Sequence, residues 1–246
     1  GIKARRYADI LAGAPEYVTG RQDEWKAFLT TAARNYKYPY YDQLMIYLQR
    51  PEATACAEYD FWFDTMHRYV KRGAKGIALV DNEGDSPNLR YVFDVADTGA
   101  RSNSRPGWLW QMKEEYRNPV MAALERAYGV SGKNLSMEAQ LERVAGRLAA
   151  DYWMDYGRQI SGIVADSFLE EYDEFNIGAA FRKAAQASIA YTLSVRCTEE
   201  AENQFEPEDF RDVADFNTRQ TAAALGTAVS SISREVFREI ERAIRD

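Results

Sequence analysis

Residues 76–95, "GIALVDNEGDSPNLRYVFDV", contain the sequence pattern on which the predicted fold class depends. Two short runs rich in branched and aromatic residues, 76–80 and 89–95, flank a cluster of turn-forming residues. Strands favour such residues, and a turn cluster between two of them indicates an antiparallel hairpin. This segment is the clearest β signal in a chain whose other patterns are mostly helical.

Helical spacing of apolar residues precedes the hairpin. Residues 21–35 carry Trp25, Phe28 and Leu29 at three- and four-residue intervals, which predicts a helix starting near Thr19. A second helix is expected between Pro39 and Pro51. A third is predicted from residue 59 to about residue 70, ending in the Lys-Arg-Gly sequence at 71–73.

Residues 97–107, "DTGARSNSRPG", predict an exposed loop after the hairpin and give the best candidate for a domain boundary. Beyond it, helical periodicity covers 112–128, 137–158, 180–195 and 218–245. Gly226 and the serines at 230–231 are expected to bend or break the last of these helices. The predicted fold is α+β and mainly helical: an N-terminal domain, 1–100, holds a small antiparallel sheet, and an all-helical domain spans 101–246.

The charge of the chain is uneven. The 246 residues carry a net charge of −7. Residues 1–110 hold 15 Lys/Arg and 14 Asp/Glu, whereas residues 111–246 hold 16 and 24. This negative net charge argues against a protein whose whole surface binds nucleic-acid phosphates. A local basic groove on the N-terminal half remains compatible with it. No apolar run is long enough to span a bilayer and the first residues do not form a signal peptide, so no membrane association and a cytoplasmic location are expected.

Sequence motifs for catalysis are missing. The single histidine, His67, has no HExxH context, and no Gly-rich phosphate loop is present. Cys56 and Cys197 lack CxxC partners and are expected to be buried. The acidic run 170–174 is interpreted as a solvated surface. We therefore predict a non-catalytic protein with no catalytic residue, no metal site and no cofactor.

Aromatic and cationic residues are concentrated in the first 75 residues. Bases of single-stranded nucleic acid stack on such rings while cations hold the phosphates, but aromatic residues at helical spacing are more often core. Both interpretations stay open. The candidate stacking residues are Tyr36, Tyr38, Tyr40, Tyr41 and Trp62, and the candidate phosphate-binding residues are Arg34, Lys37, Arg50, Arg68, Lys71, Arg72 and Lys75.

Residues 35–80 resemble the N-terminal domain of the ArdC antirestriction family, which also opens large helicase and methyltransferase proteins of conjugative elements. The matching positions are Asn35-Tyr36, Gln43–Tyr47, Gln49–Thr54, Trp62 and Lys71–Ile77. Segments of the second half are similar to those that follow this domain in the mobile-element proteins. The resemblance implies an α+β domain that binds single-stranded DNA and adds Gln43 to the candidate binding residues.

Two departures from the family pattern limit what the resemblance implies. The HExxH motif of the metalloprotease-like domain in ArdC is absent, and Asp42 stands where the family has Asn. The alternative prediction is a protein-interaction or antirestriction module, in which the acidic half contacts a restriction or conjugation protein or other domains of a larger parent polypeptide. That alternative predicts no binding to a free oligonucleotide.

Overall fold

The computed structural model describes residues 1–107 and 109–246 and confirms the α+β fold class. Three helices come first: α1 (Ile2–Thr19), α2 (Gln22–Arg34) and α3 (Tyr40–Gln49). The last two confirm the predicted helices, whereas α1 has no counterpart among the sequence predictions. Pro39 directly precedes α3, where its fixed φ suits a helix start.

The predicted hairpin is confirmed as β3 (Ile77–Asp81) and β4 (Asn88–Asp94), which pair antiparallel with Leu79 opposite Arg90. A further strand, β1 (Cys56–Glu58), pairs antiparallel with the other edge of β4, giving the order β1-β4-β3. The Gln49 side chain joins α3 to this sheet, since its amide donates to the Ala78 carbonyl at 2.8 Å and its oxygen accepts from the Ala78 N–H at 2.9 Å.

The predicted third helix is wrong beyond Thr65. Only a short helical turn forms there, with π-helical geometry over Phe61–Thr65, and the chain reverses at His67, whose φ is 53°. Residues Arg68–Val70 then form β2, which pairs antiparallel with β5 (Thr98–Ala100). Gly99 permits this pairing, because a Cβ there would lie 2.2 Å from the Tyr69 ring.

The second half contains α4 (Glu114–Tyr128), α5 (Met137–Ser161), α6 (Glu174–Cys197), the short α7 (Ala201–Gln204) and α8 (Arg219–Arg245). Two 3₁₀ segments, Val95–Asp97 and Pro207–Asp215, complete the element order. The four predicted helices of this half are therefore confirmed. The expected break in the last one is wrong, since α8 is continuous through Gly226.

Helices from both sides of residue 100 contribute to one hydrophobic core. The Trp25 indole donates to Ser188 Oγ at 2.9 Å, and the Thr19 hydroxyl donates to the Phe216 carbonyl at 2.9 Å. Because buried polar groups are nearly always hydrogen-bonded, these two long-range bonds hold the first helices in place. The structure thus fixes α1 and α2 against the helical half, while the proposed boundary near residue 100 stays a prediction. No helix in the described ranges has the length and apolar character to cross a membrane.

Candidate nucleic-acid interface

Tyr36 lies in the core. Its hydroxyl accepts a hydrogen bond from Trp110 Nε1 at 3.0 Å and donates to Glu241 Oε2 at 2.9 Å. Its ring centroid is 4.7 Å from that of Phe237 on α8. Burial raises the pKa of Tyr36 to about 12. The side chain therefore joins α8 to the segment before α3, and its ring has no free face for a base.

Tyr40 is also buried, with its ring against Gly226 and 5.9 Å from the Phe28 ring. Burial raises the pKa of its hydroxyl, which has no hydrogen-bond partner among the described residues. Tyr38 is half-buried and donates to the Cys56 carbonyl at 2.8 Å. Of the four tyrosines, only Tyr41 exposes much of its ring, 46%.

Two further candidate residues have structural roles. Trp62 is buried, and its indole donates to the Phe93 carbonyl at 2.9 Å. Gln43 is buried and donates to the Asn35 carbonyl at 3.1 Å. The predicted stacking role therefore has to be corrected for Tyr36, Tyr40 and Trp62, because tertiary packing against distant residues covers rings that the local sequence leaves ambiguous.

Arg50 is committed to an internal ion pair. It contacts the Asp97 carboxylate and also pairs with Glu52 at 2.9 Å. The hydrogen bond to Asp97 is the main cause of the raised pKa of Arg50. Arg34 donates to the Pro51 carbonyl at 2.8 Å, and Lys37 lies 3.5 Å from Glu241. Of these three cations, Arg50 is the least available to a phosphate.

The other predicted cations lie on the β2–β5 ribbon and the loops beside it. Arg68 donates to the Thr98 hydroxyl at 2.9 Å and Lys71 donates to the Ala96 carbonyl at 3.1 Å, so both keep their charge uncompensated. Arg72 and Lys75 are exposed. Within residues 1–107 and 109–246, none of these four cations forms an ion pair with a carboxylate, and the same holds for Arg101 and Arg105.

Exposed aromatic rings lie close to this ribbon. Tyr59 and Phe63, 49% and 39% exposed, stand one helical turn apart with ring centroids 6.1 Å from each other and planes only 10° apart. The Arg101 guanidinium carbon is 4.6 Å from the Phe63 centroid, a cation–π contact that ties the loop after β5 to the turn. We call Tyr59, Phe63 and Arg101 the aromatic face.

Sequence reasoning missed the aromatic face, although a signal was present. Residues 59–63 place four aromatic rings on little more than one helical turn. A single turn can bury only one side against a core, so some of these rings must face solvent. Trp62 takes the buried side in the structure.

A groove of about 650 Å³ adjoins the same turn. Phe61, Tyr38 and the buried Trp62 contribute to its wall, and its cations are Arg34, Lys37, Arg90 and Arg245. Carboxylates partly neutralise it, since Asp42 lies 2.5 Å from Arg90 and Glu241 lies 2.5 Å from Arg245. Asp42, which stands where the ArdC pattern has Asn, therefore forms an ion pair with Arg90. Burial raises the pKa of the Asp42 carboxyl, and the charge of Arg90 opposes this rise. We call this cavity the basic groove.

The two cysteines are poor nucleophiles. Burial raises the pKa of both Cys56 and Cys197 to about 12, so the thiols are protonated at neutral pH. No trio of His, Cys, Asp or Glu side chains in the described residues is arranged to hold a metal ion.

No protein-family model, curated protein or solved structure matches the chain. The ArdC resemblance therefore stays a prediction that rests on the residues quoted for it.

Proposed function

We propose that the chain is a non-catalytic, sequence-tolerant single-stranded DNA-binding module. The observation that carries the proposal is the aromatic face: two nearly parallel exposed rings, one covered by an arginine, beside ribbon cations that have no carboxylate partner in the described chain. Rings of this kind accept bases of any sequence, and free cations hold the phosphates between them. The resemblance of residues 35–80 to the ArdC N-terminal domain supports the same function.

The size of the expected effects follows from the residues involved. Each base stacked on an aromatic ring contributes about 1–3 kcal/mol, so removing the Phe63 ring should weaken binding about 5- to 150-fold. Each phosphate contact to a single strand contributes about 0.7 to the slope of log affinity against log salt. Lys71, Arg72, Lys75 and Arg101 together should give a slope of about −3.

The proposal is tested by fluorescence anisotropy with a labelled oligothymidine and a matched duplex, each at two salt concentrations. Phe63→Ala should lose affinity for the single strand. Phe175→Ala is the matched control, because Phe175 is an aromatic side chain that is 76% exposed on the acidic half. A triple variant, Lys71→Ala with Arg72→Ala and Lys75→Ala, should lower the salt slope by about 2.

Three results would count against the proposal. The single strand could fail to bind at low salt, the duplex could bind more tightly than the single strand, or Phe63→Ala and Phe175→Ala could have equal effects. The first two results would remove the proposed function, and the third would remove the assigned surface.

On the sequence resemblance, we propose further that the chain belongs to a protein of a conjugative element. Contacts with other domains of a larger parent polypeptide, or with a restriction or conjugation protein, fit that origin. A binding assay between the chain and a purified relaxase or restriction enzyme would test it directly.

A rival function, protein interaction or antirestriction through the acidic half, is favoured by one observation. Met154, Phe168 and Phe175 are 82%, 65% and 76% exposed on the half that carries the negative charge. Isolated exposed apolar residues are common, but three large ones so fully exposed suit a protein contact. Inhibition of a restriction endonuclease by a chain that binds no oligonucleotide, lost in Phe168→Ser, would favour this rival.

A further inference from the structure

Four arginines near the end of α8, Arg234, Arg238, Arg242 and Arg245, recur at three- and four-residue intervals. Successive helical residues are rotated by about 100° and advance about 1.5 Å along the axis. Arg234, Arg238 and Arg245 therefore lie within a stripe about 40° wide that extends about 16 Å along the helix. We call these three residues the arginine row.

The first two members of the arginine row have no carboxylate partner in the described part of the chain. Glu239 pairs with Arg242, and Glu241 is occupied by Arg245, Lys37 and the Tyr36 hydroxyl. Arg234 Nε is buried and makes no hydrogen bond within the described ranges. Burial and repulsion from Arg238 lower the pKa of Arg234. Neither arginine therefore forms an ion pair within the described ranges, although the carboxylates of Glu235 and Glu239 line the same cavity.

The helix dipole does not account for the row. Cations are favoured by the dipole only within the last turn of a helix, which covers Arg242 and Arg245. Arg238 and Arg234 lie about two and three turns before the end of α8. They line a cavity of about 360 Å³ together with Ser231, Arg242 and the carboxylates Glu235 and Glu239.

The row is connected to the basic groove. Arg245, its last member, contributes to the wall of that groove with Arg34 and Lys37. Moving back along α8 from Arg245, the row leads out of the groove and onto the surface of the helical half.

We propose that the arginine row binds the phosphates of a single strand that leaves the basic groove, so that the binding site extends over both halves of the chain. The inference rests on the proposed single-stranded DNA binding and gives α8 a role in it. At the 3.4 Å charge spacing of a stacked strand, a row about 16 Å long faces about five phosphates. The proposed binding site therefore extends beyond the aromatic face and the basic groove.

The test is anisotropy titration of oligothymidines of 5, 10 and 20 nucleotides with wild type and the double variant Arg234→Gln/Arg238→Gln. The matched control is Arg143→Gln/Arg147→Gln, which removes two arginines with the same spacing from the exposed surface of α5. Gln keeps a good helix former at each position. Circular dichroism and thermal melting confirm that each variant is folded.

If the arginine row binds phosphates, Arg234→Gln/Arg238→Gln should lose affinity for long oligothymidines and keep it for short ones. For the 20-mer, two lost phosphate contacts should reduce affinity about 10-fold at 0.2 M salt and about 70-fold at 0.05 M, and should lower the salt slope by about 1.4. The 5-mer should bind the variant and the wild type equally. The α5 control should match wild type at every length.

The outcomes separate the two proposals. If wild type binds the 20-mer and the α8 variant binds it with the same affinity and slope, the arginine row is not part of the site, while the proposed function stands. The same conclusion follows if the α8 and α5 variants lose affinity equally. If wild type binds no oligonucleotide at any length, both proposals fail.

Discussion

Gly226→Ala is expected to destabilise the protein, although alanine is the better helix former. Gly226 lies on the buried side of α8, and a Cβ there would be 2.2 Å from Tyr40 Cε2 and 2.3 Å from Tyr40 Cζ. Ordinary contacts of a Cβ are longer by more than 1 Å. The Tyr40 ring is 3% exposed and contacts the Phe28 ring edge-on, so it has little room to move.

The magnitude follows from two opposing effects. Replacing a mid-helix glycine by alanine gains about 1 kcal/mol of helix propensity. Forcing an extra methyl group into a well-packed core costs about 1–3 kcal/mol, and more where a ring must shift by an ångström. Because the Cβ would lie 2.2 Å from the ring, the cost should fall in the upper part of that range, about 2–3 kcal/mol, and the net change should be a loss of about 1–2 kcal/mol in the free energy of unfolding.

Gly13→Ala is the matched control. Gly13 lies inside α1, and nothing is within 4 Å of a Cβ placed there, so only the propensity gain of about 1 kcal/mol is expected. In a Tyr40→Leu background the obstructing ring atoms are absent. Gly226→Ala should then become stabilising, a change of sign that a double-mutant cycle isolates.

Urea unfolding followed by circular dichroism measures the free energies of unfolding of the four proteins in this cycle and of Gly13→Ala. If Gly226→Ala stabilised the wild-type background as much as Gly13→Ala does, the Tyr40 ring would not lie against α8. That result would also restore Tyr40 as a candidate for base stacking.

Three further predictions concern buried polar groups. Tyr36→Phe leaves Trp110 Nε1 without its acceptor and should lower the free energy of unfolding by about 1–3 kcal/mol, as urea titration would show. Burial raises the pKa of the Asp42 carboxyl above its ordinary 3.8, so the native state binds this proton more tightly than the unfolded state does. The free energy of unfolding should therefore decrease as pH rises from about 3.8 through the raised pKa. Asp42→Asn should make this decrease smaller, as urea unfolding at several pH values would show. The two cysteine thiols, with pKa values of about 12, should resist iodoacetamide at pH about 8 in the native protein and react in urea, which mass spectrometry would detect.

The sequence was sufficient to predict the helices and the hairpin that are determined by residues close together in the chain. The β3–β4 hairpin has its turn residues between two runs of strand formers, and α2, α3 and the four long helices of the second half show their periodicity within single segments. The β2–β5 ribbon was missed because each strand has only three residues and its partner lies about 30 positions away. The apolar residues of β2 were therefore interpreted as the end of a helix.

The location of the exposed rings could not be predicted for a related reason. Tyr36 is buried by Trp110 and by α8, whose Glu241 is 205 positions away in sequence. Nothing near Tyr36 in the sequence distinguishes it from Tyr41, which is exposed. Lys71, Arg72 and Lys75 are exposed because they lie between short strands and have no core to enter, whereas Arg50 pairs with Asp97, a partner 47 positions away in the sequence.

The proposed function requires a base to stack on the aromatic face, and photocrosslinking can detect that contact. An oligothymidine carrying one 5-iodouracil is bound to the protein and irradiated, and the crosslinked residue is identified by mass spectrometry. We predict crosslinks at Tyr59 or Phe63, which disappear on addition of excess unlabelled single strand. Crosslinks that map to Phe168 or Phe175 while the oligonucleotide is bound, with none at Tyr59 or Phe63, would contradict the claim.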